Sequence, residues 1–233
     1  MRVGVVTFPG SNDDRDALHA VAVMGGEPVA LWHNDADLKG VDAVVLPGGF
    51  SYGDYLRTGA IARFAPVMGA VCDFAESGGP VLGICNGFQI LCEAGLLPGA
   101  LLRNSGLAFI CRWVHLRVES AQSRWSRAAR LGEVIRIPIK HGEGRYYADA
   151  ETLKSLEDND QVVLRYCDES GRVTEEANPN GSFGNIAGIR NSSGNVLGMM
   201  PHPEHAVDSL LGPTGGRAIF GSLISEHLAG VGR

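Results

Sequence analysis

Residues 79–93 read GPVLGICNGFQILCE. Residues 80–84 form a short apolar run behind a Gly-Gly break, the length and composition of a buried strand. Cys85 follows at once, and residues 86–93 then carry Phe88, Ile90, Leu91 and Cys92, a pattern that suits a buried helix better than a second strand. Gly83 and Gly87 flank the cysteine, so the stretch spells G-x-C-x-G between a strand and a helix. That is a nucleophile elbow with sulfur in place of a hydroxyl. The glycines allow a sharp turn and leave space for a substrate beside the thiol. The start of the helix offers unpaired backbone N–H groups and the positive end of the helix dipole, which favour a thiolate and a developing oxyanion. The plainer alternative is a buried, inert cysteine, as most free cysteines are.

Upstream of the elbow, residues 3–8 are an apolar run followed by Pro9-Gly10-Ser11-Asn12 and an acidic opening at Asp13, Asp14 and Asp16. Capping residues with carboxylates in the first turn predict a helix that ends near Gly25-Gly26. Residues 28–32 and 43–46 read as the second and third strands. Residues 60–77 place Ile61, Phe64, Ala65, Met68, Val71, Cys72 and Ala75 on one face, which predicts an amphipathic helix over that whole span. Strands alternating with helices imply βαβ units, hence a parallel sheet with helices on both faces.

Downstream, residues 95–110 read as a Gly- and Leu-rich loop, and the character of the chain changes. Residues 112–119, 134–140 and 162–167 are strand-like with few helical segments between them, which predicts antiparallel pairing as an extension of the sheet or a small side sheet. Residues 169–181 are polar and are expected to form a mobile loop. Residues 186–190 and 195–200 flank Asn191-Ser192-Ser193-Gly194, a hairpin signal. A last helix is expected over 217–228. The fold class is therefore α/β, a mostly parallel, flavodoxin-like sheet with some antiparallel extension in its second half.

With 233 residues the chain is long enough for one large domain, 1–233, with a full core. A composition 45% hydrophobic and 20% charged is that of a soluble enzyme, and a net charge of −6 argues against nucleic acid or an anionic membrane as partner. No apolar run approaches a membrane span, and MRVGVVTFPG lacks the features of a signal peptide. Cys72, Cys85, Cys92, Cys111 and Cys167 contain no C-x-x-C pair, which fits a reducing cytoplasm better than a disulfide framework or a zinc finger. No G-x-x-x-x-G-K-[ST] occurs, and residues 212–216 are Gly-rich without the lysine, so ATP binding by a P-loop is not expected.

A nucleophilic thiol needs a base, and the base needs an orienting group. Of the seven histidines, His202 alone arrives with a built-in carboxylate, in Pro201-His202-Pro203-Glu204. Pro203 pushes His202 into an extended conformation, in which residues i and i+2 project to the same side. Glu204 can then hold one ring nitrogen while the other faces the thiol. A surface histidine is the bland alternative, and a metal site of His202, Glu204 and His205 a further one, although the prolines rule out helical ligand spacing. Leu46-Pro47-Gly48-Gly49-Phe50 follows the third strand and so belongs at the carboxyl edge of the sheet. Its consecutive glycines can aim backbone N–H groups at a substrate carbonyl, completing an oxyanion hole with Asn86.

The segments PGGFSYGDYLRTGAIA (47–62), GICNGFQIL (83–91), KHGEGRYY (140–147) and MMPHPEH (199–205) together resemble the triad-type, or class I, glutamine amidotransferases. Within that family they are most similar to the glutaminase subunits that serve phosphoribosylformylglycinamidine synthase, and the likeness runs from the first strand to the last helix. The resemblance implies hydrolysis of the glutamine side-chain amide through a γ-glutamyl thioester, with Cys85 as nucleophile, His202 as general base and then acid, and Glu204 as its orienter. It implies Gly49 and Asn86 as oxyanion donors and Gly48, Phe50, Gln89, Gly142, Glu143 and Ser11 as substrate contacts. It implies no metal or cofactor in this chain. ATP and magnesium are expected on a partner, a large synthetase subunit accompanied by a small third subunit, and the docking face is expected at residues 50–57 and 142–147. His205 stands where the resemblance leads one to expect arginine. Two other readings stay open: a stand-alone DJ-1-type cysteine hydrolase or stress-response protein on a similar sheet, and a redox sensor in which Cys85 is merely oxidisable.

Overall fold

The computed structural model describes residues 1–120 and 123–230, with the backbone alone for 225–230. In chain order the elements are β1 (Arg2–Thr7), α1 (Asp14–Val23), β2 (Glu27–Trp32), β3 (Ala43–Leu46), α2 (Pro66–Glu76), β4 (Val81–Ile84) and α3 (Asn86–Glu93). They continue with β5 (Ala100–Leu102), β6 (Ile110–Val118), β7 (Val134–His141), β8 (Arg145–Tyr147), α4 (Ala150–Asp158), β9 (Val162–Cys167), β10 (Ile186–Arg190), β11 (Val196–Met199) and α5 (Arg217–Gly230). Nine strands form one sheet in the order β2-β1-β3-β4-β11-β10-β9-β6-β7, and β5 pairs with β8 in a separate ribbon.

Five neighbours, β2, β1, β3, β4 and β11, run parallel, and the remaining pairings of the sheet are antiparallel. The central parallel strands are covered on both faces, which is why their sequences are unbroken apolar runs: Val44, Val45, Leu46, Val81, Leu82 and Ile84 are all fully buried. Each such side chain contributes roughly 1.5–3 kcal/mol by leaving water. Register then brings the chemistry together. Leu46 lies opposite Gly83, and Ile84 opposite Met199, so the segments after β3, β4 and β11 emerge at one edge of the sheet. That carboxyl edge is where open α/β sheets carry their ligands.

Three expectations need correction. The helix expected over 60–77 is only α2, because Pro66 holds the first helical position and forces Ala65 into an extended conformation. Residues 62–64 form their own tight turn, and Ile61 and Phe64, assigned to the apolar face, are exposed. The second half also holds a helix the pattern did not reveal, α4, capped by the Asp149 side chain at Thr152 N–H (2.7 Å). Finally, the stretch expected to be mobile, 169–181, is laced by hydrogen bonds. Asp168 Oδ1 accepts from the N–H groups of Ser170 and Arg172, and the fully buried Asn180 donates from Nδ2 to Gly144 O at 2.8 Å.

Candidate active site

Cys85 ends β4 and begins α3 with φ 50° and ψ −103°, a left-handed conformation that a side chain rarely accepts. The chain can turn this tightly because Gly87 has no side chain: a Cβ there would lie 2.0 Å from Leu46 O on the neighbouring strand. The result presents the Cys85 sulfur, 6% exposed, to a cavity of about 290 Å³. The thiol points toward Lys140 O at 3.8 Å.

His202 and Glu204 reach the same edge from the end of β11. His202 has φ −103° and ψ 86°, short of the extended conformation expected, and Pro203–Ala206 is a short tight helical turn; that turn is what brings Glu204 back to the imidazole. Glu204 Oε1 accepts from His202 Nδ1 at 2.6 Å, both side chains being buried. A carboxylate only accepts, so Nδ1 carries the proton and Nε2 is left to exchange one; Nε2 is buried without a partner among the described residues. Burial works against protonating His202, but the Glu204 carboxylate and the Cys85 sulfur outweigh it and raise its pKa.

The glycine turn after β3 leaves a backbone donor unused. Asn12 N–H donates to Gly48 O (3.1 Å) and Phe50 N–H to Gly10 O (2.9 Å), so the bridge between Ser11 and Gly49 leaves the Gly49 N–H outside the pairing. Gly49 lines the cavity, with φ 147° and no room for a Cβ, which would sit 2.6 Å from Gly10 O. Asn86, first residue of α3, has its N–H free of the helix ladder. Its side chain is committed, Oδ1 accepting from Ser51 N–H (3.1 Å) and Nδ2 donating to Gln89 Oε1 (2.9 Å).

The expected substrate contacts divide. Phe50, Gln89, Gly142 and Glu143 line the cavity. Gln89 spends much of its amide on the protein, however, since Nε2 donates to Glu143 O at 2.6 Å and ties α3 to the 142–143 segment. Gly48 lies behind the cavity wall, where a Cβ would meet Asp13 Oδ2 at 2.5 Å and His202 Cε1 at 2.6 Å. Ser11 is not brought to the cavity: its hydroxyl accepts from Phe8 N–H and closes the turn after β1.

Sequence reasoning gave Asp13 no place in the amidotransferase site and read it as part of the acidic opening of a helix. Asp13 precedes α1 but makes no side-chain cap bond. Its carboxylate turns inward instead, 3% exposed, with an ion pair to Lys140, a 3.1 Å hydrogen bond from His205 Nε2, and Oδ2 3.6 Å from His202 Nδ1. Burial alone would raise its pKa, but His205, His202 and Lys140 hold it well below the usual carboxylate range. His205 thus supports Asp13, which answers what this residue does. Asp13, His202, Glu204 and His205 lie within 4.8 Å of one another, the one such group among the described residues that could hold a metal ion. Because the Lys140 ammonium already balances Asp13 and Glu204 already occupies His202 Nδ1, the arrangement is a hydrogen-bonded charge network.

His141 lines the cavity without matching the roles of His202. Asn104 donates from Nδ2 to the carbonyls of Ala108 and His141, which turns its Oδ1 toward His141 Nδ1 at 3.0 Å and toward Gly144 N–H. His141 is therefore the Nδ1–H tautomer, and burial, then the charge on His202, lower its pKa to about 4.

The profile of the CobB/CobQ-like glutamine amidotransferase domain matches residues 1–217. The chain is similar to phosphoribosylformylglycinamidine synthase subunit PurQ of Chlorobaculum parvum, at 59% identity over 100% of this chain and 92% of that protein. It is likewise similar to the PurQ subunit of Rubrobacter xylanophilus, at 60% identity over 97% of this chain and 98% of that one. Among solved structures, a chain of PurLQS from Thermotoga maritima matches with a TM-score of 0.86 and 46% identity, covering 97% of this chain and 98% of that chain.

Proposed function

Since the chain belongs to the CobB/CobQ-like glutamine amidotransferases and, within them, to the PurQ subunits of phosphoribosylformylglycinamidine synthase, we propose that it hydrolyses L-glutamine and hands the ammonia to an ATP-dependent synthetase. That partner converts formylglycinamide ribonucleotide to formylglycinamidine ribonucleotide in de novo purine biosynthesis, in the cytoplasm. ATP and magnesium act on the partner, and this chain needs no cofactor of its own.

The observation that carries the reading is Cys85 on a strained elbow facing the same cavity as a His202 whose Nδ1 is fixed by Glu204. His202 Nε2 takes the thiol proton as sulfur attacks the side-chain carbonyl carbon of glutamine. The N–H groups of Gly49 and Asn86 receive the developing oxyanion. Collapse breaks the C–N bond, and His202 returns the proton to the leaving nitrogen, giving ammonia and a γ-glutamyl thioester on Cys85. Water, deprotonated by His202, attacks the thioester; glutamate leaves and the thiol is restored. A redox sensor leaves the paired His202 and Glu204 without a purpose, and a stand-alone DJ-1-type hydrolase does not require a His-Pro-Glu segment at the end of the sheet.

The test is turnover in the presence of the purified synthetase subunit. Cys85→Ala and Cys85→Ser are expected to abolish glutamine hydrolysis and glutamine-dependent product formation while complex assembly persists; ammonia supplied directly should still be used. An electrophilic glutamine analogue is expected to label Cys85 alone. Labelling at Cys72 or Cys111, or undiminished hydrolysis by Cys85→Ala, overturns the assignment.

A further inference from the structure

Glutamine carries an α-ammonium group, and the proposed reaction holds only the other end of the molecule. The cavity beside Cys85 is lined by three carboxylate residues, Asp13, Asp54 and Glu143. Two of them are already balanced: Asp13 by Lys140 and His205, and Glu143 by Arg103 at 3.5 Å on its outer side. Asp54 is different. It has no ion pair among the described residues, and its Oδ1 is shut off from water without a hydrogen-bond partner there. The backbone delivers it to this place through three successive left-handed residues, Tyr52 (φ 55°), Gly53 (φ 74°) and Asp54 (φ 53°), a strained path of the kind found at functional sites.

We infer that Asp54 is the specificity residue for the α-ammonium of glutamine: the half-buried carboxylate in the cavity, which has no counter-charge among the described residues, receives that cation. The inference rests on the glutaminase reading above and deepens it. Electrostatics agree with the geometry. Burial first, and then the neighbouring Glu143, push the Asp54 carboxyl up to about 6, against the Gly59 N–H and the Asn86 amide. An ammonium arriving in the cavity offsets both unfavourable causes at once. The same arrangement separates glutamine from amides that lack the group, because an amide without an ammonium leaves Asp54 buried and unbalanced. Asp54 is moreover in contact with the site's framework, since the Asn86 amide that faces it belongs to the first residue of α3.

The experiment pairs a substrate change with a residue change, using the chain in complex with its synthetase subunit. Wild type and Asp54→Asn are each assayed with L-glutamine and with glutaramate, the same amide without the α-amino group. Wild type is expected to prefer glutamine, and Asp54→Asn to lower kcat/KM for glutamine about 10- to 100-fold, the range of a charge-assisted hydrogen bond, chiefly through KM. For glutaramate the variant should equal or exceed wild type. Equal loss on both substrates, or no loss on glutamine, overturns the role of Asp54. A wild-type complex that hydrolyses neither amide overturns the glutaminase reading itself. Folding is controlled by thermal unfolding: with the folded carboxyl raised above its unfolded value, stability is lost as pH rises from the unfolded value to about 6 and the full penalty is present above it, so Asp54→Asn should melt no lower than wild type at pH 7.5.

Discussion

His202 is gripped from two sides, and the second grip belongs to a residue outside the usual triad. Glu204 bonds Nδ1, while Asp13 approaches the same nitrogen at 3.6 Å. The other titratable groups facing the ring are Cys85, His141 and His205, whose ring centre is 5.6 Å away. Since the folded His202 pKa lies above its unfolded value, the imidazolium is present below that value and is lost as pH rises through it. Removing the Asp13 charge lowers the pKa, so the loss sets in at lower pH. Because His202 must begin the attack as the free base, Asp13→Asn is expected to move the acidic limb of the kcat/KM profile for glutamine down by about one pH unit, the effect of an opposite charge at this range. A lower kcat with the limb unmoved would mean that Asp13 only braces the loop after β1.

At the scale of elements, what the sequence disclosed and what it concealed follow from the range of the forces involved. The elbow was legible because strand, turn and helix are set by neighbours in the chain: a covered parallel strand is an apolar run, and Cys85 must stand between glycines for the chain to reverse beside Leu46. His202 and Glu204 were legible for the same reason, lying two residues apart. The α4 helix was not, because its one buried apolar residue, Leu156, leaves too faint a stripe to read. Asp13 misled because a carboxylate before a helix is an ordinary cap. Its real partners, Lys140 and His205, are remote in sequence and are supplied by β7 and by the turn after β11. The far edge of the sheet returns to the site through Pro138, whose carbonyl accepts from His202 N–H at 2.8 Å, and local pattern holds no record of that closure.

Across the whole molecule the surface exposes more large apolar side chains than glutamine hydrolysis requires, and two of them, Phe50 and Phe109, line the cavity. Tyr55, Leu56, Phe64 and Leu107 are 89%, 73%, 75% and 81% exposed, and Phe50 and Phe109 add to them. Of the two tyrosines expected at a docking face, Tyr52 instead holds the loop, its hydroxyl 2.6 Å from His33 Nδ1; Tyr55 remains free to meet a partner. Exposed aromatic and aliphatic side chains such as these mark interaction surfaces, and we propose that Tyr55 and Phe64 belong to the face that meets the synthetase. Tyr55→Asp with Phe64→Asp is expected to weaken assembly about 30-fold or more, as lost anchor residues do. Glutamine-dependent synthesis should fall with it, while ammonia-dependent synthesis and the melting temperature of the isolated chain stay near wild type. Unchanged affinity in a binding titration would move the interface elsewhere.

The φ of Cys85 carries one more consequence, and it concerns heat rather than glutamine. At most positions alanine tolerates folding better than glycine, because glycine loses more backbone freedom. At φ 50° and ψ −103° the order reverses, since a Cβ is the source of the strain and glycine has none. Among catalytically dead variants, Cys85→Gly should therefore outlast Cys85→Ala in calorimetry by about 1 kcal/mol, the lower end of the cost of such a conformation. If alanine melts higher, the elbow is relaxed. If glycine does, the reactive thiol is held where this protein would rather have no side chain at all.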